Sequence, residues 1–415
     1  LHRVDRRQRQ MCIRDRLSIV KTQIVIFGIT GDLSTRKLLP ALSHIVADNP
    51  ERELAIIGVS RGQFNVAELV ERSVGDTTLA SRIEGFTMDV ANLDDYAKLK
   101  RTITAHKADQ TLIYLSVPPG AAAQIVDLLG KAGINTPDIR LLFEKPFGFD
   151  LASAQDFIER TARYFTEAQT YRIDHYMAKE VSAELVALRR NAETIHHRWG
   201  AESVESVTIV ASEKIGIEGR AQFYEQTGAL RDFVQGHLMQ LLALVLMTRP
   251  TIDESLPAQR LKALQAIEAA DVERSVRGQY EGYQQEVENP KSAVETFVAL
   301  ELRSTDPNWQ GVPIRLITGK ALDEKHSYVE VQHRDGWSDV FEEGAVTPAA
   351  SGRRLDAYER VLLEAIAGNK ELFTGSEEIL ESWRILAPIQ QSWAMTSEPT
   401  PTYKQGAHFT TAFKR

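Results

Sequence analysis

The sequence predicts an α/β fold in which a doubly wound parallel sheet is followed by an α+β region built on a large, mainly antiparallel sheet. Three observations predict it. Short apolar runs alternate with helix-period segments as far as residue 180, a glycine turn joins the first run to its helix at Gly28 and Gly31, and beyond 180 the alternation stops.

Taken in order, a strand over Gln23–Phe27 runs into Gly28, Ile29, Thr30, Gly31 and Asp32, and a helical pattern follows at Leu33, Leu38, Leu39, Leu42 and Ile45. A second strand is predicted over Leu54–Val59, helices to about residue 82, a strand over Gly85–Met88 and a short helix after Asn92. Thr111–Val117 reads as a buried strand closed by Pro118 and Pro119, with a helix over 121–132. Arg140–Phe143 reads as a strand stopped by Glu144, Lys145, Pro146, Phe147 and Gly148. This first half is therefore Rossmann-like. Beyond it we expect helices near 180–198, a strand at 204–212, and long helices at 227–248 and 257–269. Strands near 293–303, 312–317 and 327–333 and helices at 355–367 and 376–393 complete the expected order. The expected domains are 17–180 and 181–415.

Residues 1–16 stand apart, since six arginines against Asp5 and Asp15 give 6 − 2 = +4 with no apolar core for a signal peptide. They read as a basic arm or a non-native extension. The whole chain of 415 residues carries −8, which argues against a nucleic-acid or membrane-surface partner. A single cysteine, Cys12, excludes an internal disulfide and a multi-cysteine metal site, and fits a cytoplasmic protein. No metal is expected.

Residues 172–180 (RIDHYMAKE) gather bases, acids, an imidazole and a phenol. In a helix starting near Asp174, His175 and Lys179 stand at i and i+4 on one face beside Tyr176, where all three can donate to one anion. A solvated amphipathic face fits the same residues equally well. Gly28, Thr30, Gly31, Asp32 and Leu33 form a turn and helix start that could take a pyrophosphate, or simply link strand to helix. At the end of the second strand Arg61 replaces the acid that would bind the ribose of NAD, which favours the 2′-phosphate of NADP, with a surface arginine as the alternative. On helix 227–248, His237 is either a core residue or a positioned base. Asp232 lies five residues before it, about 140° around an α-helix axis, so the carboxylate that orients the imidazole is sought elsewhere, at Asp174.

With these motifs in order, the chain resembles the glucose-6-phosphate dehydrogenase family from about Gln23 to the C-terminal region. The resemblance rests on Gly28–Lys37, Tyr114–Pro119, Glu144–Gly148, Arg172–Glu180, Gly219 and Arg220, Arg231–His237, Arg277–Tyr280, Gly319–Leu322 and Ala357–Arg360. It implies oxidation of glucose 6-phosphate at C1, with His237 as general base and Asp174 as the carboxylate that stabilises the imidazolium. His175, Tyr176, Lys179 and Lys325 are implied phosphate ligands, Glu213 and Asp232 hold sugar hydroxyls, and Lys37, Lys145 and Lys320 lie between sugar and cofactor. The implied cofactor is NADP, with NAD as an alternative, held by Gly28, Thr30, Gly31, Asp32, Leu33, Arg61, Pro118, Glu144 and Lys145. A homodimer is the implied assembly.

The chain departs from the family at Ala178, where glycine is usual, at Gly236, where asparagine is usual, and at Lys325, where arginine is common. The stretch 334–354 is shortened, so edge strands of the large sheet are expected to be missing, and with them the basis for the family's sheet-mediated oligomer and for a second NADP site. Two competing readings are a dehydrogenase of another phosphorylated sugar and a non-catalytic relative that binds NADP or sugar phosphate. Retention of Asp174 and His237 argues against the second, because a binding module has no use for a base and its orienting acid.

Overall fold

In a computed structural model, which describes residues 20–190, 199–249, 254–343 and 354–412, fourteen strands form two seven-stranded sheets. The basic segment 1–16 and Cys12 lie outside the described residues. The strands are β1 (Thr22–Phe27), β2 (Leu54–Ser60), β3 (Ile83–Thr87), β4 (Gln110–Leu115), β5 (Ile139–Glu144), β6 (Thr170–Ile173) and β7 (Val204–Ser212). The remainder are β8 (Ser275–Tyr280), β9 (Phe297–Leu302), β10 (Ile314–Gly319), β11 (His326–His333), β12 (Ser338–Glu342), β13 (Phe373–Thr374) and β14 (Thr402–Tyr403).

The chain divides into two compact units, neither of them contiguous. The first holds the described residues up to Phe147, then Asp156–Ala178, and then those from 354 to Thr374. Its sheet runs β13-β6-β5-β4-β1-β2-β3, parallel except for β13, which is the expected doubly wound order with one antiparallel edge strand added. The strands are apolar throughout because helices cover a parallel sheet. All six residues of β1 and of β4 are buried. The core gathers Ile24, Ile26, Leu38, Leu42, Leu112 and Tyr114, and also takes Val361, Leu362, Ala365 and Ile366 from the late helix Ala357–Ala367.

The second unit holds Gly148–Gln155, the described residues of 179–351, and those from Gly375 onward. Its sheet runs β12-β11-β7-β10-β9-β8-β14 and is mainly antiparallel, with parallel pairs at β7–β10 and β8–β14. The shortened stretch 334–354 still carries β12, which pairs antiparallel with β11 at Tyr328↔Glu342. One expectation changes here. The helix expected over 227–248 is three segments, Ala221–Ala229, a π-helix over Leu230–Leu238 and Met239–Leu246. The break before the π-helix is at Gly228, with φ 62° and ψ 177°. A Cβ there would lie 2.4 Å from Glu295 Oε1, so the close approach of that carboxylate requires glycine. Among the described residues no helix is long and apolar enough to cross a membrane.

Candidate active site

In the first unit, parallel register brings the candidate residues to one edge of the sheet. Phe27 pairs with both Val59 and Leu115, Leu115 with Phe143, and Glu144 with Ile173. Gly28, Arg61, Glu144 and Asp174 therefore stand at or just past the carboxyl ends of their strands, where open α/β sheets bind ligands. Gly28 has φ 79°, and a Cβ on it would come 2.2 Å from the Ser116 carbonyl oxygen. Only glycine fits. The turn closes by Gly31 N–H donating to the Gly28 carbonyl at 2.9 Å, and Ser34 Oγ donates to the same carbonyl at 2.9 Å. A short π-helix, Ser34–Leu38, then leads into Leu39–Asp48. The first amides of such a helix have no partner within it, which suits a phosphate. Thr30, Asp32 and Lys37 are exposed, while Leu33 packs against the core. Arg61 and Pro118 are exposed as well, Pro118 directly before the helix Pro119–Lys131.

Glu144 accepts a short hydrogen bond from the Tyr114 hydroxyl. Burial pushes its carboxyl up to about 7, reinforced by Asp174, while the Tyr114 bond and Lys145 pull it down. Lys145 follows, joined to Pro146 by a cis peptide. Asp174 is 3% exposed, and its Oδ1 accepts from Tyr176 N–H at 2.9 Å. The helix expected to start there is instead a 3₁₀ turn over His175–Ala178, a break at Lys179 and an α-helix over Glu180–Arg190. The i, i+4 face argument therefore does not hold, because a 3₁₀ turn aligns i with i+3. The Asp174 bond to Tyr176 N–H is the physical cause, since it tightens the turn in the manner of an Asx turn. The His175 ring stacks on Tyr358 at 6.4 Å and 12°, and Arg360 donates to the Ala178 carbonyl at 2.6 Å. Tyr114 and Tyr358 were not among the expected site residues. A buried phenol needs a polar partner, and for Tyr114 that partner is Glu144.

In the second unit, one parallel pair does comparable positioning. Because β7 and β10 run parallel with Ser212 opposite Gly319, the next residues, Glu213 and Lys320, come abreast and form a short ion pair. Glu213 N–H also donates to the Gly319 carbonyl at 2.8 Å. Lys320 is 2% exposed, its ammonium lies 5.3 Å from the Tyr224 ring centre, and its carbonyl accepts from the Tyr403 hydroxyl at 2.7 Å. Burial pushes the Tyr224 phenol well up, helped by Asp232, Glu295 and Glu213. Neither Tyr224 nor Glu295 was expected here. Glu295 Oε1 accepts from Leu230 N–H at 2.9 Å and so holds the first turn of the π-helix.

That π-helix carries Asp232 and His237. Its bonds run i to i+5, so residues five apart return to nearly the same face, and the separation of about 140° expected from an α-helix does not apply. His237 is 1% exposed, with the Phe233 ring edge-on at 5.3 Å and 79°. Gly236 lies inside the same segment. Lys179 pairs with Glu343 at 3.3 Å, and Lys325 is exposed just before β11.

A family model described as the NAD binding domain of glucose-6-phosphate dehydrogenase matches residues 25–183, and the model of its C-terminal domain matches 186–353 and 345–414. The chain belongs to the glucose-6-phosphate dehydrogenase family. Glucose-6-phosphate 1-dehydrogenase of Dickeya dadantii is 32% identical over 461 aligned positions, covering 92% of this chain and 93% of the relative. The namesake from Mycolicibacterium smegmatis is 32% identical over 463, with the same coverage. A crystal structure of the Mycobacterium avium enzyme superposes with a TM-score of 0.79 at 31% identity, covering 93% of this chain and 95% of that one. A glucose-6-phosphate dehydrogenase in complex with its substrate glucose 6-phosphate gives a TM-score of 0.85 at 27% identity, covering 94% and 95%. The Dickeya alignment takes in 92% of 415, about 382 residues, so about 461 − 382 = 79 of its positions have no counterpart in this glucose-6-phosphate dehydrogenase family member. The two C-terminal matches overlap at 345–353.

Proposed function

We propose that this chain oxidises glucose 6-phosphate at C1 to 6-phosphogluconolactone with NADP, the entry step of the pentose phosphate pathway. The observation that carries the reading is the match of both family domains along nearly the whole chain. When bound, NADP supplies the hydride acceptor. Its fit rests on the glycine turn closed against Ser116, the helix start behind it, and Arg61 in place of an acid.

The protein's own residues bind the sugar, fix it and move one proton. His237 takes the proton of the C1 hydroxyl as the hydride departs, a contribution of roughly 10²–10⁴-fold. Its burial beside Phe233 keeps bulk water from the imidazole. Asp174 has the role of the carboxylate that stabilises the resulting cation. Glu213 and Asp232 accept hydrogen bonds from the sugar hydroxyls, and Lys320 fixes the Glu213 carboxylate by charge. Lys37 and Lys145 serve between sugar and cofactor. His175, Tyr176, Lys179 and Lys325 bind the phosphate, and Thr30, Gly31, Asp32, Leu33, Pro118 and Glu144 line the cofactor's place. A cytoplasmic homodimer is proposed, for which β12 is the edge strand of its sheet among the described residues, next to Trp337, which is 59% exposed. Sedimentation tests that assembly.

The deciding assay follows NADP reduction by absorbance with glucose 6-phosphate, with glucose and with no sugar, and repeats it with NAD. Reduction confined to the phosphorylated sugar is expected. Silence together with demonstrable NADP binding would move the reading to another phosphorylated sugar or to a non-catalytic relative that binds NADP or sugar phosphate.

A further inference from the structure

Lys179 directly precedes the helix Glu180–Arg190, where the positive end of the helix dipole adds to its ammonium charge and favours an anion. In the structure a carboxylate takes that place. Glu343 Oε2 lies 3.3 Å from Lys179 Nζ, one residue beyond the end of β12. The acid is held there by the edge strand, which packs against the helix Glu180–Arg190. The strand is fastened in turn through Asp339, which accepts from Trp199 at 2.8 Å and pairs with His333 at 2.9 Å. The adjoining Glu342 is engaged by His326 at 2.9 Å. The Lys179 pair is longer than a tight charge-assisted bond, and Glu343 is 48% exposed, so a stronger anion can displace it.

We propose that Glu343 is a specificity-determining residue that competes with the substrate phosphate for Lys179. The inference rests on the phosphate role proposed for Lys179. A phosphorylated sugar must separate the Lys179–Glu343 pair, whereas unphosphorylated glucose leaves it in place. Glu343 therefore weakens binding of the phosphorylated sugar alone and narrows the enzyme's preference for it over glucose. Displacement moves no bond or proton; one anion replaces another on the same ammonium.

The test compares the wild-type protein with Glu343→Gln, which keeps the size of the side chain and removes its charge. KM for glucose 6-phosphate is expected to fall about two- to fivefold, in line with the strength of exposed ion pairs, with kcat and the KM for glucose unchanged. An unchanged or raised KM for glucose 6-phosphate overturns the proposal, as does an equal fall for glucose. Inorganic phosphate binding, measured by calorimetry on both proteins, separates this inference from the catalytic reading. Tighter phosphate binding by the variant supports the competition even if neither sugar is oxidised, and equal binding overturns it.

Discussion

The two sheets reach comparable ends by different means. In the first unit, six parallel strands deliver Gly28, Arg61, Glu144 and Asp174 to one edge by register alone. In the second, antiparallel pairing dominates, and the single β7–β10 pair carries Glu213 and Lys320 to the same level. His237 and Asp232 there depend on a π-helix rather than on a strand end. A parallel sheet thus spreads positioning over many strands, while the second unit concentrates it in one strand pair and one irregular helix. The second arrangement is the more fragile.

The comparison can be broken by removing single groups. His237→Ala should lower kcat by roughly 10²–10⁴-fold with sugar binding little changed; turnover near wild type would remove His237 as the base. Lys320→Met should raise the KM for the sugar about tenfold or more, because Glu213 loses the cation that fixes it. Steady-state kinetics with the lactone product quantified checks both. In the parallel sheet, Gly28→Ala should destabilise the protein by about 1–3 kcal/mol and weaken NADP binding, since the new Cβ meets Ser116 and φ is positive. Thermal unfolding with and without NADP measures it.

Smaller effects sharpen the contrast. Glu144 has its carboxyl raised from 4.5 to about 7 in the folded protein, so between those values the folded state holds more protons than the unfolded state. Its stabilising contribution is present below pH 4.5 and is lost as pH rises toward 7. Glu144→Gln, which still accepts from Tyr114, should flatten the fall in Tm across that window, and parallel curves for the two proteins would defeat the burial argument. Arg61→Ala should weaken NADP about tenfold and NAD little; equal losses in fluorescence titrations would leave the 2′-phosphate role without support.

Much of this difference was legible beforehand, and what escaped has a physical pattern. Five of the six parallel strands were readable because buried strands are continuous apolar runs set between helix periods, as in β1 and β4, whereas β6 was missed because Thr170 and Arg172 break the apolar run in TYRI. β8 was missed, since Arg277 and Gln279 give SVRGQY no clean alternation, and β12 was missed within a stretch that looked only shortened. At the site, residue types pointed to Asp174 and His237, and the family resemblance alone to Glu213 and Lys320, but local geometry was read with an α-helical period. Both misreadings come from there. The 3₁₀ turn at His175–Ala178 depends on a side-chain bond from Asp174, and the π-helix on Gly228 meeting Glu295, which is 67 residues away in sequence. Periodicity carries no record of such contacts, whether two residues apart or distant. Tyr114 escaped because an aromatic in an apolar run reads as core until its polar neighbours are known, and Tyr224 and Tyr358 because nothing in FYEQ or AYER sets them apart from ordinary helix residues.

The late return of residues 354–374 to the first unit bears on the order in which the protein is made. Helix Ala357–Ala367 fills part of that unit's core, and β13 closes its sheet against β6. A ribosome releasing the chain from its N-terminus therefore exposes an incomplete parallel sheet, with the β6 edge unpaired, until residue 374 has emerged. Domains usually fold one after another during synthesis. Here the nucleotide-binding unit has to wait for nearly the whole polypeptide, and a protein cut after residue 180 would lack part of its own core.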